Sequence, residues 1–264
     1  MGQKSNPNSF NINKNKSIIF HNSSAKPTEY SKTFLISYSF SQVFNRLLEK
    51  RGGFIKNFYF VLDSKRNSLI IYMSVFFSNN NFSKNSQNLT NLSKTTLTLQ
   101  KQIFKIFNLY GLKYKKRFIF QNLNKTFDKV SLNINQFKRF KNESFFESSL
   151  SLMKILLSSN NNSGLLAKFI SKFFKLLHKT KKLNKFFLFL GFLLKFLVKN
   201  SLLIKGVKIQ IKGRLRGSSR SKTRLIQYGI VPLQTIDSTV SYTLTHTHTV
   251  YGTFGIRVWI ISNN

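Results

Sequence analysis

The sequence contains no cysteine and very few acidic residues. Without cysteine in its 264 residues, disulfides, thiolate zinc sites and cysteine nucleophiles are excluded. Asp and Glu number only 7 and are scattered, which leaves little material for the carboxylate cluster that a metal-dependent nuclease needs. The sequence also lacks a phosphate-binding glycine-rich fingerprint and a nucleophile elbow. The composition therefore predicts that this protein is not an enzyme.

Alanine and proline are also scarce, whereas Phe, Asn, Lys and Ile abound. The scarce pair occurs only at Ala25, Ala167, Pro7, Pro27 and Pro232. Codons of the abundant residues are A+T-rich and those of the scarce ones are G+C-rich, a bias typical of organellar genes. We expect a mitochondrially encoded protein of the matrix, with a plastid as the alternative. The N-terminus has no apolar signal core and its first arginine is Arg46, so no import signal is expected.

Positive charge is what the chain has in excess. It carries 43 Lys plus Arg, and its formal net charge is +36. These cations are spread along the whole length, so they would repel one another in a compact isolated protein. A large polyanion is the natural partner, because it neutralises that repulsion. The hydrophobic content of 41% is nevertheless sufficient for a folded core.

Residues 1–30 are polar and rich in Asn, Ser and Lys, and they predict an extended tail that orders only on a partner. Apolar spacing predicts a helix over 33–50, ended by Gly52 and Gly53. Two strands are predicted next, over 55–62 and 68–77, with a turn between them.

The centre of the chain has a weaker pattern. Residues 78–94 are mainly Asn and Ser and predict a disordered loop. A helix over 97–109 and a strand over 114–120 are expected after it, which completes a predicted domain over 31–120. Residues 121–163 show no firm period and are interpreted as a variable linker or insertion.

From Leu165 the helical pattern is strong. Residues 165–177 form an amphipathic helix with lysines opposite the apolar face, and 183–198 form a second helix that is apolar nearly all round. Alternation from Val207 to Ile211 and from Phe254 to Ile260 predicts strands on which these helices are buried. We therefore expect an α+β domain over 164–264, with two helices packed on a mostly antiparallel sheet.

Two stretches of this sequence resemble the universal small-subunit ribosomal protein S-three (S3) family. The opening MGQKSNPNSF matches the family at Met1, Gly2, Gln3, Lys4, Asn6 and Pro7. From Gly213 to Ile260 the resemblance runs without a gap. Its matching positions include Gly213, Arg214, Leu215, Gly217, Thr223, Gly229, Val231, Pro232, Leu233, Thr235, Tyr242, Tyr251, Gly252, Gly255, Val258, Trp259 and Ile260.

This resemblance implies a structural protein of the small ribosomal subunit, in its organellar version. Such a protein binds rRNA in the head and lines the channel through which mRNA enters. Neighbours in the family are small-subunit proteins such as those of the S-ten and S-fourteen families. No small-molecule substrate, membrane or cofactor is expected, apart from magnesium that accompanies RNA. The alternative is a cationic RNA-binding or membrane-surface protein outside the ribosome.

The family's N-terminal domain is a type II KH fold, which binds nucleotides with a Gly-x-x-Gly loop. The corresponding place in this chain, residues 78–94, has no glycine. We therefore expect a degenerate KH-like domain that keeps its strands and helices but has lost the nucleotide clamp.

The predicted RNA contacts are cations in the matching segments. Arg forks bind phosphate in bidentate fashion, and small neighbours let an RNA backbone approach closely. Arg216 stands where the family often has Gly, and Lys222 where it usually has Arg. A merely solvated basic surface is the alternative. The predicted RNA-binding residues are Gln3, Lys4, Arg214, Arg216, Arg220, Lys222 and Arg224.

Lys181, Lys182 and Lys185 resemble a basic pattern that faces incoming mRNA in the family. On a helix, Lys181 and Lys185 would share a face, with Lys182 beside them. The alternatives are a solvated helix junction or an ordinary rRNA contact.

Other chemistry has weaker support in the sequence. His246 and His248 would share one face of a strand and could chelate a metal, but only Asp237 is acidic nearby, so a packed or RNA-facing strand is favoured. Glu143 and Glu147 have the spacing of an acid/base pair, yet ordinary charge pairing explains them as well. The apolar helix is too short between its lysines to span a membrane.

Overall fold

The computed structural model describes residues 7, 20–22, 27–50, 52–63, 68–78, 101, 115–123, 135–158, 163–178, 182–235 and 238–262. The chain divides into two compact units. One comprises residues 17–128, and the other comprises 129–264 together with 1–16. Each unit has its own sheet and its own buried residues.

The unit of residues 17–128 contains one long helix and a four-stranded sheet. The helix is α1 (Pro27–Lys50), and the strands are β1 (Phe20–Asn22), β2 (Gly53–Asp63), β3 (Ser68–Phe77) and β4 (Lys115–Asn122). In the sheet the order is β1-β2-β3-β4. β2 and β3 are antiparallel, while β1 runs parallel to β2 and β4 runs parallel to β3.

Helix α1 packs one face on this sheet. Phe40, Phe44 and Leu48 recur every four residues and are buried, and the Phe44 ring lies 6.0 Å from that of Phe58 in β2. Gly52, with a φ of 74°, follows the helix, and its amide donates to the Glu49 carbonyl at 3.0 Å. Glycine suits this left-handed position because it has no Cβ.

The structure corrects the predicted N-terminal boundary. Helix α1 begins at Pro27 rather than Thr33, and β1 also lies within the residues assigned to an extended tail. Proline is favoured at the first helical position, where its missing N–H would have no intrahelical partner. The predicted loop at 78–94 lies outside the described residues apart from Ser78, as does the helix at 97–109 apart from residue 101.

The second unit contains three helices and a four-stranded antiparallel sheet among the described residues. The helices are α2 (Phe146–Ser158), α3 (Ser163–Leu177) and α4 (Lys182–Asn200), and the strands are β5 (Ile204–Gly213), β6 (Lys222–Gly229), β7 (Thr239–Thr249) and β8 (Gly252–Ser262). Strand order is β6-β5-β8-β7. Short 3-10 turns span Asn135–Phe140 and Leu215–Gly217.

Helices α3 and α4 cover one face of the sheet, with α3 on β7 and β8 and α4 on β5 and β6. Val207, Ile209 and Ile211 of β5 are fully buried beneath them. The ring of Phe174 in α3 lies 4.7 Å from that of Phe254 in β8. This arrangement confirms the expected C-terminal fold of two helices on a largely antiparallel sheet.

A third packed element comes from the region that had no predicted fold. Phe145, just before α2, lies 4.8 Å from Phe189 of α4 between ring centroids. In the preceding 3-10 turn, Phe137 and Phe140 are buried against the same helix. Serine hydroxyls within α2 bond to carbonyls one turn back, as in the Ser148 bond to Phe145 at 3.0 Å. Such bonds satisfy the buried serine hydroxyls, and the low helix propensity of serine hid this helix in the sequence.

The protein as a whole is therefore α+β. Across the parts of the chain that the structure describes, none of the helices has the length and apolar character needed to cross a bilayer.

Candidate nucleic-acid interface

The connection between β5 and β6 holds three of the predicted RNA contacts, Arg214, Arg216 and Arg220. The Arg214 Nε donates to the Ser218 carbonyl at 3.0 Å, and the Ser218 hydroxyl donates to the Arg220 carbonyl at 2.8 Å. These two bonds brace the connection from within. Arg220 is exposed beyond them, so its side chain can reach a phosphate.

Gly217 explains why this connection needs small residues. Its φ is 70°, and a Cβ built there would lie 2.9 Å from Cε1 of Tyr251. The backbone can therefore pass this ring only without a side chain. The glycine in the predicted RNA-binding pattern has a packing role as well as leaving room for a ligand.

The cations at the start of β6 lie on the side of the sheet that carries the helices. Lys222 is paired with Gly213, and Arg224 is paired with the buried Ile211. The Arg224 guanidinium carbon lies 5.9 Å from the ring centroid of Phe187 in α4. That distance suits a cation–π contact, which orients the guanidinium along the edge of the sheet. Lys222 and Arg224 are both exposed.

The remaining predicted RNA contacts are not located. The side chain of Arg216 and the whole of Gln3 and Lys4 lie outside the described residues. The proposed phosphate-binding group therefore rests on Arg214, Arg220, Lys222 and Arg224 in the structure.

The lysines predicted to face mRNA have an acidic partner that the sequence did not indicate. Lys185 Nζ lies 3.3 Å from Oε1 of Glu143, and Lys182 Nζ lies 3.7 Å from its Oε2. The Glu143 side chain is only 10% exposed, whereas both lysines extend into solvent. One carboxylate thus reduces the net charge of this pair of lysines. Lys181 lies outside the described residues.

These ion pairs also bear on the acid/base pair considered for Glu143 and Glu147. Glu143 precedes α2 and is bound to lysines from α4, while Glu147 is exposed in the first turn of α2. The observed partners of Glu143 support charge pairing, although they differ from the neighbours in sequence that the pattern suggested.

His246 and His248 share one face of β7, as predicted. Both are exposed, and Thr247 between them is buried on the side of the helices. Across the described residues, no group of three or more His, Cys, Asp or Glu side chains is placed to hold a metal ion. Asp237 lies outside the described residues.

Three further cations lie on the opposite face of the sheet and were not predicted as contacts. Lys208 and Lys212 of β5 alternate with its buried residues, and Arg257 of β8 pairs with Gln210 between them. The alternation of Lys and Ile in β5 could have indicated that its lysines lie on the face opposite the buried isoleucines. Spacing along the sequence could not have identified Arg257 as part of this group, because only strand pairing brings it near Lys208 and Lys212.

The sequence profile of the family described as ribosomal protein S3, C-terminal domain, matches residues 195–260. These residues run from the last turns of α4 through all four strands of the antiparallel sheet. The C-terminal part of this chain is therefore similar to the C-terminal domain of ribosomal protein S3. The S3 family is structural and non-enzymatic, which agrees with the prediction made from the scarcity of acidic residues.

Curated S3 proteins align with part of this chain. The small ribosomal subunit protein uS3c of Cyanidioschyzon merolae is 39% identical over 57 residues, which cover 22% of this chain and 28% of the relative. The uS3c proteins of Staurastrum punctulatum and Chara vulgaris are each 47% identical over 57 residues, covering 22% of this chain and 26% of theirs. The alignment thus spans little more than a quarter of each of these S3 relatives.

These S3 relatives correct the predicted location. They support an organellar protein, but uS3c is the plastid form of S3, and it points to a plastid rather than a mitochondrion. The mitochondrial prediction was based on codon bias, which organellar genomes of both kinds share. It is therefore wrong, and the plastid alternative is favoured.

Proposed function

We propose that this protein is a structural constituent of the small ribosomal subunit, that it binds rRNA in the head, and that it lines the mRNA entrance channel. The observation that carries the proposal is the braced, cationic β5–β6 connection within the residues that match S3. From Ile204 to Ser262 the sequence has nine Lys or Arg and a single acidic residue, Asp237. Such a surface is suited to a phosphate backbone.

Sedimentation of an organelle lysate tests the ribosomal assignment. The chain should migrate with the small subunit at low salt and should leave it as the salt concentration rises, because counterions compete for the phosphates. Migration of the chain at the top of the gradient under low salt would favour the alternative of a protein outside the ribosome.

The proposed role of Lys181, Lys182 and Lys185 is to face incoming mRNA. The position of Lys182 and Lys185 in the first turn of α4, with exposed side chains, supports it. Lysine is a mobile point charge, so it can attract a sliding phosphate backbone without holding it in a fixed geometry. Glu143 holds the two lysines together and lowers their net charge.

Replacing Lys181, Lys182 and Lys185 together by alanine is expected to slow translation of structured messages by about three- to tenfold, which is about 1 kcal/mol in the barrier. Unstructured messages should be nearly unaffected, and the subunit should assemble, because the β5–β6 contacts remain. In vitro translation with matched messages measures both rates.

Glu143→Gln is the matched control, because it keeps the shape of the side chain while leaving the two lysines with their full charge. It should not slow structured messages. Equal slowing of both kinds of message by the triple variant, or failure of assembly, would assign the lysines to rRNA instead.

The N-terminal unit is proposed to be a degenerate type II KH-like domain. A helix packed on a mixed sheet, with β3 and β4 parallel, supports this assignment. Parallel neighbours need a crossover connection, and residues 79–114 between these strands are long enough for the helices that a KH fold has there. The absence of glycine from 78–94 supports the loss of the nucleotide clamp.

The remaining partners and boundaries stay predictions. The part of the predicted tail before β1, with Gln3 and Lys4, is proposed to order on rRNA, and proteins of the S-ten and S-fourteen families are proposed neighbours. The proposed domains are 31–120, to which the structure adds residues 27–30 of α1, and 164–264; the segment at 121–163 joins them and contains α2.

A further inference from the structure

The C-terminal sheet has two faces, and the helices of the described residues cover only one of them. On β5, the buried Val207, Ile209 and Ile211 point toward α3 and α4, so the alternate residues point the other way. The register of β6, β8 and β7 assigns residues of those strands to the same uncovered side.

On this uncovered side, the side chains of paired residues form rows that run across the strands. Part of it is closed, because Val231 and Leu233, which follow β6, pack against a small cluster of Val240, Trp259 and Ile261. We define the open face as the cross-strand rows that lie beyond this cluster, together with Lys208 at the margin of the cluster. The residues of the open face are Thr223, Leu225, Gln227, Lys208, Gln210, Lys212, Gly255, Arg257, Leu244 and His246.

The charge of the open face has one sign. Lys208, Lys212 and Arg257 surround Gln210, and none of the open-face residues is acidic. Strand geometry sets the Cα atoms of Lys212 and Arg257 about 8 Å apart and those of Lys208 and Lys212 about 13 Å apart. Three cations within such a patch create a positive potential that attracts a polyanion.

The open face also has space for a backbone. Gly255 lies between Lys212 and His246, and a Cβ built on it would meet no atom within 4 Å. The missing side chain leaves a shallow depression beside the lysine. Lys208 Nζ lies 5.7 Å from the Trp259 ring, which supports its aliphatic stem at the margin of the patch.

The aromatic rings of this side are not available for base stacking. Trp259 is buried, and its ring packs 5.3 Å from that of Tyr242 within the small cluster. The exposed apolar residues of the open face are instead leucines, Leu225 at 51% and Leu244 at 42%. Sheets that read single-stranded bases use exposed aromatic rings for that purpose.

We propose that the open face binds the sugar-phosphate backbone of RNA through Lys208, Lys212 and Arg257. This inference rests on the proposed function of RNA binding and adds a second surface to the β5–β6 connection. Its contacts are to phosphates, so the surface tolerates any base sequence and accepts a duplex as readily as a single strand. Because Lys222 and Arg224 lie on the other side of the sheet, RNA contacts both sides of it.

The test compares two triple variants of the full chain with the same change in charge. One is Lys208→Gln, Lys212→Gln and Arg257→Gln. The matched control is Lys175→Gln, Lys195→Gln and Lys199→Gln, which removes exposed lysines from α3 and α4. Affinities for a short RNA duplex and for a single strand of the same sequence are measured by filter binding over a range of salt concentrations.

The open-face variant should bind both RNAs on the order of 100-fold more weakly near 0.1 M salt, with the slope of log affinity against log salt reduced by about 2 to 3. The control should lose less than about tenfold. Equal losses in the two variants overturn the open-face proposal alone. Undetectable binding of RNA by the unaltered chain overturns the proposed function as well.

A single substitution separates charge from folding. Gly255→Glu places a carboxylate in the open face at a position where a Cβ has free space, and Gly191→Glu does the same in α4. Only the first should weaken RNA binding, while both should keep the unfolding temperature of the parent chain. Unchanged RNA affinity in a folded Gly255→Glu variant, or loss of a protein partner with RNA binding intact, would assign the open face to a protein instead.

Discussion

Replacing Phe145 by alanine is expected to lower the free energy of unfolding of the C-terminal unit by about 3 to 5 kcal/mol. The Phe145 side chain is 0% exposed. Its ring centroid lies 4.8 Å from that of Phe189, 5.3 Å from that of Phe186 and 6.3 Å from that of Phe173. Removing the ring leaves a cavity between the turn before α2 and the two helices that cover the sheet.

The single tryptophan makes this measurement specific. Trp259 lies in β8, so its fluorescence during guanidinium denaturation reports on the C-terminal unit alone. Phe192→Ala is the control, because Phe192 also touches an aromatic neighbour, Phe140, but is 41% exposed. It should cost about 1 kcal/mol or less. Equal costs for the two variants would mean that the segment before α2 does not pack on α4.

Affinity of the full chain for small-subunit rRNA is expected to fall by about 250-fold or more between about 50 and 200 mM salt. If about five phosphates are neutralised, the slope of log affinity against log salt is about −4, and further contacts make it steeper. The exposed cations of the β5–β6 connection and the scarcity of acidic residues around them are the physical basis.

Filter binding with the magnesium concentration held constant measures this slope. Replacing Arg220, Lys222 and Arg224 together by glutamine should reduce it by about 2 to 3, because those phosphate contacts are lost. Removing the Arg224 guanidinium also removes its contact with Phe187, so unfolding of this variant is followed through Trp259 fluorescence. A slope near zero for the unaltered chain would contradict electrostatic binding of RNA.

The elements with a strong local period were predictable. The strand at Ser68–Phe77 was predicted with its observed bounds, and α3 and α4 lie where apolar spacing placed them. By contrast, α2 was hidden because it is rich in Ser, which is a poor helix former. Its stability comes from aromatic contacts with α4, which are distant in sequence and leave no local period.

The candidate site shows the same division. The cations from Arg214 to Arg224 were evident from their density, but the side of the sheet that each one occupies was not. Strand pairing puts Arg224 beside Ile211 and against Phe187. The ion pair of Glu143 with Lys185 joins residues 42 positions apart, which no spacing rule anticipates.

By itself, the amino-acid sequence determined the excess of positive charge, the absence of thiol chemistry, the strands and helices with a strong period, and the resemblance to S3. Each of these depends on composition or on neighbours within a few residues. Only the tertiary structure decided that Lys208, Lys212 and Arg257 share one face, that Lys222 and Arg224 lie on the other, and that Glu143 pairs with lysines of α4. Those facts depend on strand register and on packing between distant segments, and a shift of one residue in register would move every side chain of a strand to the opposite face.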